Sequence, residues 1–112
     1  MPRRYIPEAG DIVWINFDPQ SGHEQSGHRP AVVLSPSAYN AKAGLIVCCP
    51  TTTRIKGYPF EVKLSGHPES VALADQVKSF DWRARRATKK ARATAAEVVE
   101  ICAKLRVLID QN

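Results

Sequence analysis

The spacing of apolar residues along the chain changes once, near residue 94. Before that point they alternate or form short runs. Asp11-Ile-Val-Trp-Ile-Asn-Phe17 is rich in β-branched and aromatic residues and predicts a strand. Pro30-Ala-Val-Val-Leu-Ser35 and the apolar run Leu45-Ile-Val-Cys-Cys49 predict two more. Phe60-Glu-Val-Lys-Leu64 alternates strictly, the pattern of a half-buried strand. Val71 to Ala74 and Val77 to Trp82 form either one long strand or two short ones. Gly44, Pro50, Gly57, Pro59, Gly66 and Pro68 punctuate these segments. Short strands so closely spaced predict a small antiparallel barrel or a strongly bent sheet. After residue 94 the period is helical: Val98, Ile101, Cys102, Leu105, Leu108 and Ile109 share one stripe. Thr94-Ala-Ala-Glu97 supplies a capping box at its start.

Two segments carry no such pattern. Asp18 to Arg29 is a twelve-residue connection with Pro19, Gly22 and Gly27, long for a hairpin and of the kind that is usually functional or disordered. Arg83 to Arg92 reads as a basic, Gly-free connector without a clean helical face. The net charge of +5 has its source there. Residues 1–82 hold eight basic and eight acidic residues, and residues 93–112 hold two and three. The decapeptide holds Arg83, Arg85, Arg86, Lys89, Lys90 and Arg92 with no acid. A local patch of this kind points to a polyanionic or acidic partner.

The 112 residues fit one domain, 1–112, of ordinary globular composition. No apolar run approaches the roughly 18 residues that span a bilayer. Ile6-Pro7-Glu8-Ala9-Gly10-Asp11 stands where an export signal needs its apolar segment, so a soluble chain that is not exported is expected. Cys48, Cys49 and Cys102 lack a Cys-x-x-Cys spacing and read as reduced, mostly buried thiols. His23-Glu24 begins like a zincin motif, but His28 comes one residue too late for one helix face. Gly22 to Gly27 has P-loop spacing, but His28-Arg29 replaces the required Lys-[Ser/Thr]. Neither a metal nor a nucleotide cofactor is expected.

Titratable and polar groups nonetheless cluster. Gly22 to Pro30 presents His23, Glu24, His28 and Arg29, Thr51-Thr52-Thr53-Arg54 follows the third strand, and Asp75-Gln76 interrupts an apolar pattern. Singly, each is more simply structural: threonines end strands, and Asp-Gln marks a bulge or turn. Together, beside a basic patch, they suit metal-free RNA cleavage. RNA carries its own nucleophile, the 2′-hydroxyl. The protein then needs a base, an acid and donors for the phosphorane oxygens, roles open to Glu, His, Arg and Thr.

The run Gly10-Asp11-Ile-Val-Trp14, Asp18-Pro19, Gly22-His-Glu24-Gln25-x-Gly27-x-Arg29-Pro30-Ala-Val-Val-Leu34-Ser-Pro36 strongly resembles MazF/PemK-type toxins, closest to the MazF branch. Val47-Cys-Cys-Pro50-Thr51-Thr52, Lys56-Gly57-Tyr-Pro-Phe-Glu-Val62, Val71-Ala-Leu-Ala-Asp75-Gln76-Val-Lys78-Ser79, Arg83-Ala-Arg85 and the final helix continue the resemblance, from about residue 4 to residue 109. It implies an SH3-like antiparallel β-barrel of the PemK/CcdB-like toxin fold with appended helices, mainly β. It implies a cytoplasmic homodimer that cleaves single-stranded mRNA, with an ACA-like triplet as the first guess, and arrests translation. The products would be 2′,3′-cyclic phosphate and 5′-hydroxyl ends. The implied partner is a cognate MazE-like antitoxin whose acidic segment covers the groove.

By the same resemblance, Arg29 binds the scissile phosphate and assists proton transfer, Thr52 hydrogen-bonds a non-bridging oxygen, and Glu24 supplies the acidic residue needed for activity. Which of Glu24, His23, His28 and Arg29 serves as base and which as acid stays open. Phe17, Asn40, Lys56 and Lys78 are implied substrate contacts, joined by His28, Asp75, Gln76, Arg83, Arg85 and Arg86. Two departures stand out: the Ser65–Ser70 turn is about one residue shorter than in close relatives, and Arg86 replaces a frequent Gly. A gyrase poison of the same fold and a non-catalytic RNA-binding barrel are the alternatives. The joint presence of Arg29, Thr52 and Glu24 favours the nuclease.

Overall fold

A computed structural model describes residues 4–19, 22–66 and 68–110. The basic start, Met1 to Arg3, and His67 of the shortened turn lie outside them. The strands are β1 (Asp11–Asn16), β2 (His28–Val33), β3 (Leu45–Thr52), β4 (Glu61–Leu64), β5 (Ser70–Leu73), β6 (Lys78–Asp81) and β7 (Thr88–Arg92). The helices are α1 (Ser37–Ala43) and α2 (Ala95–Ile109). The expected antiparallel barrel architecture is present as a curled sheet of seven strands ordered β4-β5-β3-β2-β1-β7, with β6 also paired to β3. Every pairing is antiparallel.

The alternation along β1 builds two cores. Ile12 joins Val32, Cys49, Val62, Leu64 and Ile101 in one cluster. Val13 and Ile15 join Ala31, Val33, Ile46, Phe80 and Trp82 in the other. The centre of the sheet is therefore covered on both faces. That is why β3 reads as a continuous apolar run while β4, exposed on one side, alternates. β3 is also the bend. Leu45 to Cys48 pair with β6, and Thr51 and Thr52 pair with β5. The two segments after residue 70 are thus separate strands, and Asp75-Gln76 forms the turn between them. Gln76 N donates to the carbonyl of Leu73 there, at 3.1 Å.

The C-terminal helix begins as its capping box predicts. Glu97 N donates to Thr94 Oγ1 (3.1 Å) and Thr94 N to Glu97 Oε1 (2.8 Å). Glu97 Oε2 also accepts from Ser65 N and Ser65 Oγ, at 2.7 and 2.8 Å. Its partial burial raises the carboxyl pKa, but these hydrogen bonds outweigh that and hold it below the usual range. Lys104 Nζ ties the helix to the Glu61 carbonyl at 2.8 Å. The apolar stripe is buried only in its first half: Ile101 is inside, whereas Leu108 and Ile109 are 44% and 65% exposed. No helix among the described residues is long and apolar enough to cross a membrane.

Three features were not announced by the residue pattern. Residues 88–92 are not a connector but edge strand β7, paired to β1 with a register shift between Ile12 and Val13. All its side chains are exposed, so no alternation marked it. Helix α1, seven residues capped by Gly44 at φ 72°, has one buried residue, Asn40, and no apolar stripe to announce it. Arg86 adopts the left-handed conformation that its side chain disfavours, with φ 54°. It does so inside a tight reversal fixed by Arg85 N to the Asp81 carbonyl (3.0 Å) and Ala87 N to the Trp82 carbonyl (2.9 Å). Arg86→Gly should therefore stabilise the fold by about 1 kcal/mol in urea unfolding. An unchanged or lower midpoint would show that the turn carries no such strain.

Candidate active site

An open groove of about 1250 Å³ runs along the bend of the sheet. Its walls are the β1–β2 loop with β2, the end of β3, the loop before β4 and the β5–β6 turn. These contribute Arg29, Thr52, Lys56, Tyr58, Asp75 and Gln76. His23 also lines it. Lys90 and Arg92 of β7 line it as well.

Arg29 is aimed by backbone. Its Nε donates to the Ser26 carbonyl (2.9 Å) and its Nη1 to the Thr51 carbonyl (3.1 Å). Those contacts use two of the five guanidinium N–H groups, and the rest suit an anion. Thr52, the next residue, lines the same groove as Arg29. Thr52 Oγ1 accepts from Arg54 N at 3.1 Å, which leaves its own proton free to donate. Thr51 is different: it is buried, and its hydroxyl donates to the Pro30 carbonyl at 3.1 Å.

The β1–β2 loop is pinned to the β5–β6 turn and to β6; His23 and Gln25 line the groove, whereas Glu24 and Lys78 do not. Gln25 N donates to Gln76 Oε1 at 3.0 Å, and Lys78 Nζ forms an ion pair with Glu24 Oε2. Both partners are partly exposed, 28% for Lys78 and 38% for Glu24. The loop before β4 is held by Glu61, whose carboxylate accepts from Lys56 N and Gly57 N, each at 3.0 Å. Tyr58 Oη donates to Asp75 Oδ2 at 2.9 Å. This hydrogen bond and the Asp75 charge raise the Tyr58 pKa, so its hydroxyl keeps its proton.

The geometry withdraws several expected contacts. Phe17 is 3% exposed and packs edge-on against Phe80, with centroids 5.0 Å apart, so it is unavailable for stacking. Asn40 is fully buried. It accepts from Ser35 Oγ (2.6 Å) and donates to the Pro7 and Ser35 carbonyls (2.8 and 3.0 Å), so it braces α1 and cannot read a base. His28 stacks on Trp14 with rings 6° from parallel and does not line the groove. Arg85 Nη1 donates to the Asn16 and Asp18 carbonyls (2.7 and 2.9 Å), and its guanidinium lies 4.0 Å from the Phe80 ring centroid. It is a strut for the β1–β2 loop.

The basic patch also divides. Arg92 pairs with buried Asp11 at 2.7 Å, and Lys89 approaches the same carboxylate at 3.7 Å. Arg83 lies over Trp82, with 4.7 Å to the ring centroid. Neither Arg83, Arg85 nor Arg86 lines the groove. Cys48 and Cys49 are buried and Cys102 half-buried. Burial pushes the Cys48 thiol up to about 12 against the opposing charge of Arg85, which makes it a poor nucleophile.

A groove with a fixed Arg, a free Thr hydroxyl and nearby carboxylates fits phosphodiester chemistry, and the relatives agree. Residues 8–109 match the family model described as PemK-like, MazF-like toxin of type II toxin–antitoxin system. The chain belongs to this toxin family. It is 59% identical over 110 residues to the Escherichia coli K12 protein named endoribonuclease toxin MazF, covering 97% of this chain and 99% of that protein. The crystal structure of MazF from Deinococcus radiodurans superposes with a TM-score of 0.91 at 53% identity, over 96% of this chain and 100% of that one. A MazE–MazF crystal structure from the same organism gives 0.86 at 52% identity, over 97% and 100%. Family membership and groove geometry together account for the clustering of Arg29, Thr52 and Asp75-Gln76. Tyr58 is a groove residue that sequence reading missed. Its only signal is an aromatic side chain in the turn after Gly57.

Proposed function

We propose that this single-domain toxin is a sequence-specific endoribonuclease that cleaves single-stranded mRNA without a metal ion and so arrests translation. One observation supports the reading: Arg29, fixed on the Thr51 carbonyl, and Thr52 line the same groove, so one substrate can meet both phosphate donors. In the proposed step the 2′-oxygen attacks the adjacent phosphorus and loses its proton to Glu24. The bond to the 5′-oxygen breaks, and that oxygen takes a proton from His23, the general acid in this scheme, leaving a 2′,3′-cyclic phosphate and a 5′-hydroxyl. Arg29 and Thr52 hold the non-bridging oxygens as charge builds on them. Lys78 exchanges Glu24 for an RNA phosphate as the substrate binds. The end groups of the products test this chemistry.

The toxin acts in the cytoplasm as a homodimer, reads an ACA-like triplet, and is neutralised by a MazE-like antitoxin whose acidic segment occupies the same groove. RNA affinity then comes from the groove cations Arg29, Arg54, Lys56 and Lys90, and not from the whole basic decapeptide, whose Arg92 is paired with Asp11. With about four phosphates engaged, single-strand counterion release gives a loss of about fifty-fold in affinity between 50 and 200 mM salt. Fluorescence anisotropy with a labelled, non-cleavable oligonucleotide measures the slope. A loss near a thousandfold would return the whole patch to the interface.

A further inference from the structure

Two tyrosines among the described residues are conspicuously exposed, Tyr39 at 43% and Tyr58 at 47%. Only Tyr58 lines the groove. Its surroundings hold it still. The Tyr58 carbonyl accepts from Glu61 N at 3.0 Å, closing the turn, and the Glu61 carboxylate caps the two residues before it. The ring tilts against Phe60 with centroids 5.7 Å apart. The hydroxyl is fastened to Asp75 Oδ2, while Asp75 Oδ1 is buried without a hydrogen-bond partner. A carboxylate kept there with one oxygen unsatisfied, its other oxygen given to Tyr58, needs a reason. Anchoring the ring is one.

We propose that the Tyr58 ring is a preorganised platform on which one nucleobase flanking the scissile phosphate stacks, with Asp75 as its positioning residue; this rests on the RNA-cleaving reading above. A fixed, exposed ring in the same groove as the phosphate donors costs little ordering entropy when a base settles on it. The hydroxyl itself is a poor proton donor to a leaving group, because Asp75 already holds its proton and raises its pKa. The ring, and not the hydroxyl, is therefore the functional part.

The test pairs Tyr58 variants with a single abasic nucleotide walked along a single-stranded RNA oligonucleotide that the wild-type protein cleaves. Tyr58→Ala should raise KM on the intact oligonucleotide by roughly 5- to 150-fold, the range for loss of one base–aromatic stack, with kcat nearly unchanged. Tyr58→Phe keeps the ring but loses the tether to Asp75, so its KM should rise only a few-fold. At one position, removing the base should penalise wild type by a similar factor and leave Tyr58→Ala unaffected. An unchanged KM for Tyr58→Ala, a loss confined to kcat, or abasic penalties equal in both proteins at every position would overturn the inference. Failure of the wild type to cleave any RNA would instead overturn the parent reading, and this one with it.

Discussion

Arg29→Ala lowers kcat for RNA cleavage by on the order of a thousandfold and leaves the fold intact. The side chain is half-buried, and its two hydrogen bonds go to backbone carbonyls at the groove wall, which water can satisfy once the guanidinium is gone. The stability cost is therefore about 1 kcal/mol. The kinetic cost is larger. Removing a positioned donor to a developing oxyanion typically costs about a hundred- to a thousandfold, and Arg29 offers several N–H groups at once. Arg29→Lys keeps the charge but loses the fork that two carbonyls orient, so it restores only part of the rate. Single-turnover cleavage, with thermal melting as the fold control, checks this. A variant that melts normally and still cleaves at the wild-type rate would remove Arg29 from the chemistry.

Glu24→Gln separates kcat from KM. Loss of a general base typically costs about a hundred- to ten-thousandfold in rate. The same substitution releases Lys78 from its ion pair. An unpaired ammonium beside the groove attracts phosphate, so KM stays level or falls. Lys78→Ala should do the opposite: KM rises while kcat falls less. Steady-state kinetics on one oligonucleotide reads both. A Glu24→Gln protein with normal kcat and raised KM would make Glu24 a binding residue and return the role of base to His23.

Much of this was legible in residue pattern. Alternation placed β1 and β4, and the capping box placed the start of α2. The Asp18–Arg29 loop, Thr51-Thr52 and Asp75-Gln76 stood out as polar interruptions, and the bend at β3 explains why they meet. What stayed hidden had no local signature. β7 is exposed along its whole length, so no alternation marks it, and α1 buries a single side chain. Phe17 and Asn40 looked like ligands by resemblance, yet their chemistry serves a core and a brace, and only tertiary packing tells these uses apart. The charge pattern misled in a similar way. Six cations in ten residues suggested one surface, but Arg92 and Lys89 answer buried Asp11, and Arg85 supports the β1–β2 loop.

The account turns on the claim that RNA supplies the nucleophile and this chain supplies every other group. The most direct measurement is end-group analysis of a single-stranded RNA oligonucleotide cleaved in EDTA. The upstream product should carry a 2′,3′-cyclic phosphate and the downstream product a 5′-hydroxyl open to kinase labelling, at a rate EDTA does not change. A 3′-hydroxyl with a 5′-phosphate, or cleavage that stops when divalent metal is chelated, would contradict it.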